Sequence, residues 1–326
     1  MNTFSSPRGA RTVVVGGGTM GADVAVVLAR AGARVTVVDP NEAQRQRLGP
    51  HVAAELQAAG LGHRASGVDT VATLEAVDWH AVTLVVECIT ERLVAKQALF
   101  AELVRRAPAT AVLASNSSSF PISAIGAGCE TTGRMLGLHF FMPAHLVPLV
   151  EVVCGPDTDP ACAAWLSTFM RACGSVPVLV RKDKPGFLAN RLQHALSREA
   201  FALIDEGVAS AEDVDAAVRF GFGFRYLAAG PVLQRDHAGI DVHCAAAATM
   251  YPTLSNTAEP AQALRDRVAR GQLGMKTGQG FFAWPEEKRR AERARYDGLL
   301  RQGLALLAPE LPAIDRSDDP TPGMPS

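Results

Sequence analysis

Arg11-Thr12-Val13-Val14-Val15-Gly16-Gly17-Gly18-Thr19-Met20-Gly21 is the stretch that decides the fold. A β-branched run comes first, then the glycines, then an apolar-rich segment from Ala22 to Ala31 that stops at Gly32. Strand, glycine turn, helix and glycine stop, in that order, are what a βαβ unit requires. Arg34 to Val38 reads as the next strand, with Asp39 at its end, eighteen residues after Gly21. A G-x-G-x-x-G match alone is weak, but this one follows a strand, opens a helix and has an acidic residue at the distance where dinucleotide folds meet the adenosine ribose. Gly16 permits the tight turn, Gly18 lets the backbone approach a pyrophosphate, and Gly21 allows close helix packing. Gly17, Thr19 and Met20 complete the expected cofactor loop, whose helix amides hold phosphate. Asp39 would repel a ribose 2′-phosphate, and the first arginine after it is Arg45, so NAD is expected rather than NADP.

Working outward, Val82 to Val86 and Ala111 to Ala114 read as short buried strands, separated by a segment of helical period from Glu91 to Arg106. Strands alternating with helices point to a parallel sheet, in which ligands bind beyond the carboxyl ends of the strands. The polar loop Ser115-Asn116-Ser117-Ser118-Ser119 and Asp39 should therefore share one edge. At Lys182-Asp183-Lys184-Pro185-Gly186 the character changes, and from Phe187 onward the chain reads almost wholly as helices. The expected class is α/β, an N-terminal Rossmann doubly wound sheet with a C-terminal all-helical domain and the active site in the cleft between them. The expected boundaries are 1–183, 184–308 and a Pro-rich, extended tail over 309–326.

Composition limits the partners. At 326 residues two domains are the default. A net charge of -1 gives no broad attraction to nucleic acid or to an anionic membrane. The six cysteines lack C-x-x-C spacing and read as small apolar residues. Neither a signal peptide nor a membrane span is legible, so a reduced, cytoplasmic setting is expected. Asp236-His237-Ala238-Gly239-Ile240-Asp241-Val242-His243 has metal-like residue types, but it reads as helical packing, and no metal is expected.

The chemistry concentrates in Gly137-Leu138-His139-Phe140-Phe141-Met142-Pro143, followed by Glu151 in Pro148-Leu149-Val150-Glu151-Val152-Val153. A lone histidine in an apolar run is by default structural. Its company argues otherwise: Glu151 falls on the next strand and Ser118 at a strand end of the same sheet. Oxidising a hydroxyl needs a base for its proton while hydride leaves carbon, and a carboxylate behind the imidazole fixes its tautomer and stabilises the imidazolium.

These motifs, together with Lys182-Asp183-Lys184-Pro185-Gly186-Phe187, Asn190-Arg191 and Gly274-Met275-Lys276-Thr277-Gly278-Gln279-Gly280-Phe281, resemble the L-3-hydroxyacyl-CoA dehydrogenases over roughly residues 11 to 284. The resemblance implies NAD-dependent oxidation of a 3-hydroxyacyl-CoA to the 3-ketoacyl-CoA, a place in fatty acid metabolism, and a homodimer formed through the helical domain. It also implies roles: His139 as general base, Glu151 as its partner carboxylate, Ser118 as a substrate contact near the nicotinamide, and Asn190 as an orienter of the substrate carbonyl. Glu91, Lys96 and Lys276 would contact the cofactor; without the resemblance Glu91 and Lys96 read as one solvated helical face. Glu199 and Glu206 read as structural.

Two features depart from the family pattern. Met142 stands where the family usually has asparagine, and a thioether donates no hydrogen bond. Between Asp39 and Val71 the chain lacks the longer, lysine-bearing helical pair with which CoA-binding members meet the nucleotide; its cations there are Arg45, Arg47 and Arg64, with His51 and His63. An NAD-dependent dehydrogenase of a 3-hydroxy acid without CoA, like relatives acting on gulonate or carnitine, is the alternative expectation. A recruited NAD-binding structural or sensory protein is a third, against which His139, Glu151, Ser118 and Asn190 together argue.

Overall fold

The computed structural model describes residues 6–317 and 319. The chain divides into two compact units, Met1–Leu188 with Leu300–Ser326, and Ala189–Leu299. In the first, β1 (Arg11–Val15), β2 (Arg34–Val38), β3 (Val68–Val71), β4 (Val82–Glu87), β5 (Val112–Ser115), β6 (Met135–Phe140), β7 (Leu149–Cys154) and β8 (Val176–Val180) make one sheet. Its strand order is β3-β2-β1-β4-β5-β6-β7-β8.

The expected parallel sheet holds from β1 to β6, and then direction reverses: β7 pairs antiparallel with β6. A parallel return needs a crossover of a dozen or more residues, which the link Phe141–Pro148 is too short to provide. β8, parallel to β7, was not anticipated. It contains Pro177, whose missing N–H is tolerated because β8 is an edge strand.

Helices α1 (Thr19–Ala29), α2 (Glu42–Ala58), α3 (Leu93–Arg106), the single turn α4 (Ile122–Ile125) and α5 (Pro160–Ala172) cover the sheet. One core joins Val24 and Leu28 of α1, Leu48 and Leu56 of α2 and Phe169 of α5 to Leu138, Phe140, Val150 and Val152. A second, on the other face, joins Phe100 and Leu103 of α3 to Val13, Val85, Leu113 and Met135. α1 has no polar stripe, since every residue from Gly21 to Ala29 is buried. α3 begins at Leu93, so Glu91 lies in the preceding loop rather than on the expected helical face.

Part of the segment expected as a Pro-rich, extended tail makes contacts with the first unit. Ile314 packs against the first core, and a Cβ at Gly174 would stand 2.8 Å from its side chain. Buried Arg64 donates to the carbonyl of Asp315 at 2.9 Å. Residues 318 and 320–326 of that expected tail lie outside the described residues. The boundary between units follows Leu188, a few residues beyond the expected one.

The second unit is helical. It opens with α6 (Ala189–Asp205), continues through helices Ala211–Ala217, Ile240–Met250 and Gln262–Ala269, and returns to the first unit within the helix Glu286–Leu307. No helix among the described residues is long and apolar enough to cross a membrane. All six thiols are free, and burial pushes that of Cys173 up to about 12, leaving it protonated and inert.

Candidate active site

The glycine turn is held by close approaches that admit no side chain. Gly16 has φ of 104°, and a Cβ there would lie 2.6 Å from the Cys88 carbonyl oxygen. A Cβ on Gly21 would lie 1.8 Å from the carbonyl oxygen of Gly16. Gly18 has nothing within 4 Å of its added Cβ, and as N-cap of α1 it provides no side-chain capping bond. The first amides of α1 thus have no capping side chain, and the backbone at Gly18 can be approached closely, which is what a pyrophosphate needs. Thr19 is exposed, and Met20 packs partly against the core. Asp39 does more than the sequence revealed: one carboxylate oxygen accepts from the Gly17 amide at 2.7 Å and the other from Asn41 at 2.8 Å. That carboxylate fixes the turn and keeps lone pairs free to accept from a ligand's hydroxyls.

Further along the same sheet edge, His139 on β6 stands directly opposite Glu151 on β7. Opposite residues of an antiparallel pair point to the same face, and their neighbours point to the other. Leu138, Phe140, Val150 and Val152 therefore enter the first core, and the two polar side chains meet on the opposite face. Nδ1 of His139 lies 2.7 Å from Glu151 Oε2, and Nε2 lies 3.1 Å from Ser118 Oγ. Glu151 is fully buried and His139 is 3% exposed, whereas Ser118 is exposed. An ionised carboxylate only accepts, so Nδ1 carries the proton and Nε2 is left as the basic nitrogen. The second Glu151 oxygen accepts from the Leu188 amide at 3.0 Å, and the rings of Phe141 and Phe187 flank the imidazole.

The loop after β5 is set by a charge cluster centred on Glu87, the last residue of β4 and one that no sequence motif singled out. Fully buried Glu87 accepts from Lys96 Nζ at 2.6 Å, from the Ile89 amide at 2.7 Å and from Ser115 Oγ at 2.5 Å. Lys96 is 1% exposed, so it belongs to no solvated face; Glu91, 3.1 Å from it, is the partner that reaches solvent. Glu91 in turn accepts from Ser117 Oγ at 2.5 Å and from the Ser119 amide at 3.0 Å. Burial alone would raise the Glu91 pKa, but the Ser117 hydroxyl, Lys96 and the Ser119 amide hold it below the usual range. Asn116 accepts from the Phe140 amide at 2.9 Å, tying this loop to the strand that carries His139.

In the second unit, Asn190 stands in the first turn of α6. Lys276 is exposed on the Gly274–Gly280 turn, which is closed by bridges between Gly274 and Gln279 and between Gln279 and Ala283. Met142 is 62% exposed just beyond β6.

Residues 11–184 match the profile of the 3-hydroxyacyl-CoA dehydrogenase NAD binding domain, and residues 186–284 that of the C-terminal domain. The chain belongs to the 3-hydroxyacyl-CoA dehydrogenase family. It is therefore an NAD-dependent oxidoreductase. It is 33% identical over 291 residues to the 5-formyl-3-hydroxy-2-methylpyridine 4-carboxylate 5-dehydrogenase of Mesorhizobium japonicum, covering 86% of this chain and 94% of that one. It is 36% identical over 284 residues to a 3-hydroxybutyryl-CoA dehydrogenase of Mycobacterium tuberculosis, covering 84% and 98%. Among solved structures, a 5-formyl-3-hydroxy-2-methylpyridine 4-carboxylic acid 5-dehydrogenase, described as an NAD+ dependent dismutase, superposes with a TM-score of 0.85 at 30% identity, covering 91% of this chain and 98% of that one.

Proposed function

We propose that this family member oxidises a hydroxyl of a small, carboxylate-bearing substrate without CoA, and that His139 is the general base. The observation that carries the base is the Ser118–His139–Glu151 chain at the sheet edge that also bears the glycine turn. Nε2 of His139 takes the hydroxyl proton, and Glu151, already accepting from Nδ1, stabilises the imidazolium as it forms. NAD supplies the hydride acceptor. Ser118 holds the reacting oxygen, and Asn190 orients the substrate carbonyl. Gly16, Gly17, Gly18, Thr19, Met20, Gly21 and Asp39 hold the adenosine and pyrophosphate. Glu91 and Lys276 meet the remainder, with Lys96 acting through Glu91 rather than by direct contact.

The absence of CoA rests on the segment after Asp39. Arg45 donates to the Asp39 carbonyl at 2.7 Å, and buried Arg64 to the carbonyls of Arg30 and Asp315 at 2.6 and 2.9 Å. Cations so committed to backbone are poor anchors for a nucleotide phosphate. The Mesorhizobium relative is named for a free pyridine carboxylate, in line with this reading. The 3-hydroxyacyl-CoA thioester is the second reading, supported by the Mycobacterium relative. Acetoacetyl-CoA reduction with NADH, run beside oxidation of free hydroxy acids with NAD, separates them. Turnover of the thioester at family rates, with none of the free acids, would reverse the order.

Apolar side chains stand exposed on the second unit, among them Leu192, Phe220, Phe224 and Val242. We assign to them the homodimer surface, to be tested by sedimentation equilibrium.

A further inference from the structure

Asp23, His51 and His145 come from three separate places: the second turn of α1, the middle of α2 and the link between β6 and β7. Their ligand atoms nevertheless all lie within 4.8 Å of one another. Nε2 of His51 is 2.9 Å from Asp23 Oδ1, and Nδ1 of His145 is 3.0 Å from the same oxygen. The second approach is close without being a hydrogen bond, since the buried Nδ1 of His145, on a side chain only 10% exposed, makes no aligned bond among the described residues. Its in-plane lone-pair direction is left for something off the N···O line.

We infer that Asp23 Oδ1, His51 Nε2 and His145 Nδ1 form a site for a divalent transition-metal ion of the zinc class. Ligands at about 2.0 Å from tetrahedral zinc stand roughly 3.3 Å from each other, so each of the two Asp23–imidazole pairs need open by only a few tenths of an ångström, while the two imidazole nitrogens already lie within 4.8 Å of one another. Two imidazoles and one carboxylate are donors suited to that ion, and His51, with 35% of its side chain exposed, puts the cluster within reach of solvent.

The surroundings are those of a metal site. A metal-bound histidine usually gives its other ring N–H to a carboxylate, and the carboxylate beside Nε2 of His145 is Glu55, whose Oε2 lies 3.2 Å away, within ion-pair range though not aligned as a hydrogen bond, and is held by Arg301 at 2.6 Å. Asp23 Oδ2 accepts from the Ala144 amide at 3.0 Å, which leaves Oδ1 to face the two rings. A bound ion would clip the pyrophosphate-binding helix to the segment that leaves the catalytic strand.

The test is titration of chelator-treated full-length protein with Zn²⁺, read by competition against a chromophoric chelator, and with Co²⁺, read by its visible d–d bands. One tight equivalent per chain is expected, with the cobalt bands developing in parallel. H51N and H145N should each weaken binding at least tenfold with an unchanged far-UV spectrum, and E55Q about 10–100-fold. The control H63N should bind as the wild type does. Should H145N fail to fold, H51N, altered at a half-exposed side chain, decides. Wild-type binding no tighter than that of H51N, or cobalt bands unaltered in H51N, would overturn the assignment and leave only carboxylate–imidazole hydrogen bonding.

Discussion

At the scale of single residues, the strongest expectations attach to the Ser118–His139–Glu151 chain. H139A removes the proton acceptor, and kcat should fall about 10²–10⁴-fold with NADH affinity, read by fluorescence titration, unchanged. E151Q presents an amide that can donate, which permits the wrong imidazole tautomer; a comparable loss of kcat is expected with little change in KM. Equal losses in kcat and in NADH binding would point instead to a structural role. Asp23 gives a pH expectation. Its folded pKa is depressed from 3.8 to about 2, so its stabilising contribution is complete above about pH 4 and is lost as pH falls toward 2. His51 has the opposite sign: its pKa is raised above 6.5, so its contribution is complete below that pH and is lost as pH rises through the folded value. Urea midpoints of chelator-treated protein measured against pH should lose the acid slope in D23N and the alkaline slope in H51N.

At the scale of elements, two glycines of one turn should behave differently. G21A drives a Cβ into the backbone of Gly16, so both the thermal midpoint and NADH affinity should drop. G18A meets nothing in the protein, so the midpoint should hold while NADH affinity falls at least tenfold. Lys96 and Glu87 make a separate expectation: K96M leaves a fully buried carboxylate without its cation and should cost about 3–5 kcal/mol by urea unfolding. The βαβ turn was legible because its signals are local, a β-branched run, three glycines and an acid at fixed spacing. The histidine and glutamate were legible as a pair because each interrupts an apolar, strand-prone run, the second on the strand that follows the first. The reversal at β7 was not read, since period-2 patterning is the same for either strand direction, although the length of Phe141–Pro148 carried the information. Glu87 escaped because a carboxylate closing an apolar strand shows its partners, Lys96 and Ser115, only after folding.

At the scale of the whole molecule, the division into a sheet unit and a helical unit was visible from the change in composition at residues 182–187, and the order of motifs carried the family. What composition hid is that Leu300 onward belongs to the first unit. Prolines and charges gave the last segment the look of a solvated tail, yet one side chain, Ile314, is enough to commit it to a core. I314D or truncation after Glu310 should therefore lower the thermal midpoint, with about 1–3 kcal/mol of the loss in the truncated chain arising from Arg64 left without its Asp315 carbonyl. A discontinuous first unit also has a schedule written into it. On the ribosome, the glycine turn and the catalytic strand emerge long before residue 314, so the slot beside Gly174 stays open while the entire helical insertion is being synthesised. Maturation of the nucleotide-binding half must then wait until residue 314 has been made and has left the ribosome, and nascent chains stalled before that point should be cut readily by protease where released chains that include it resist.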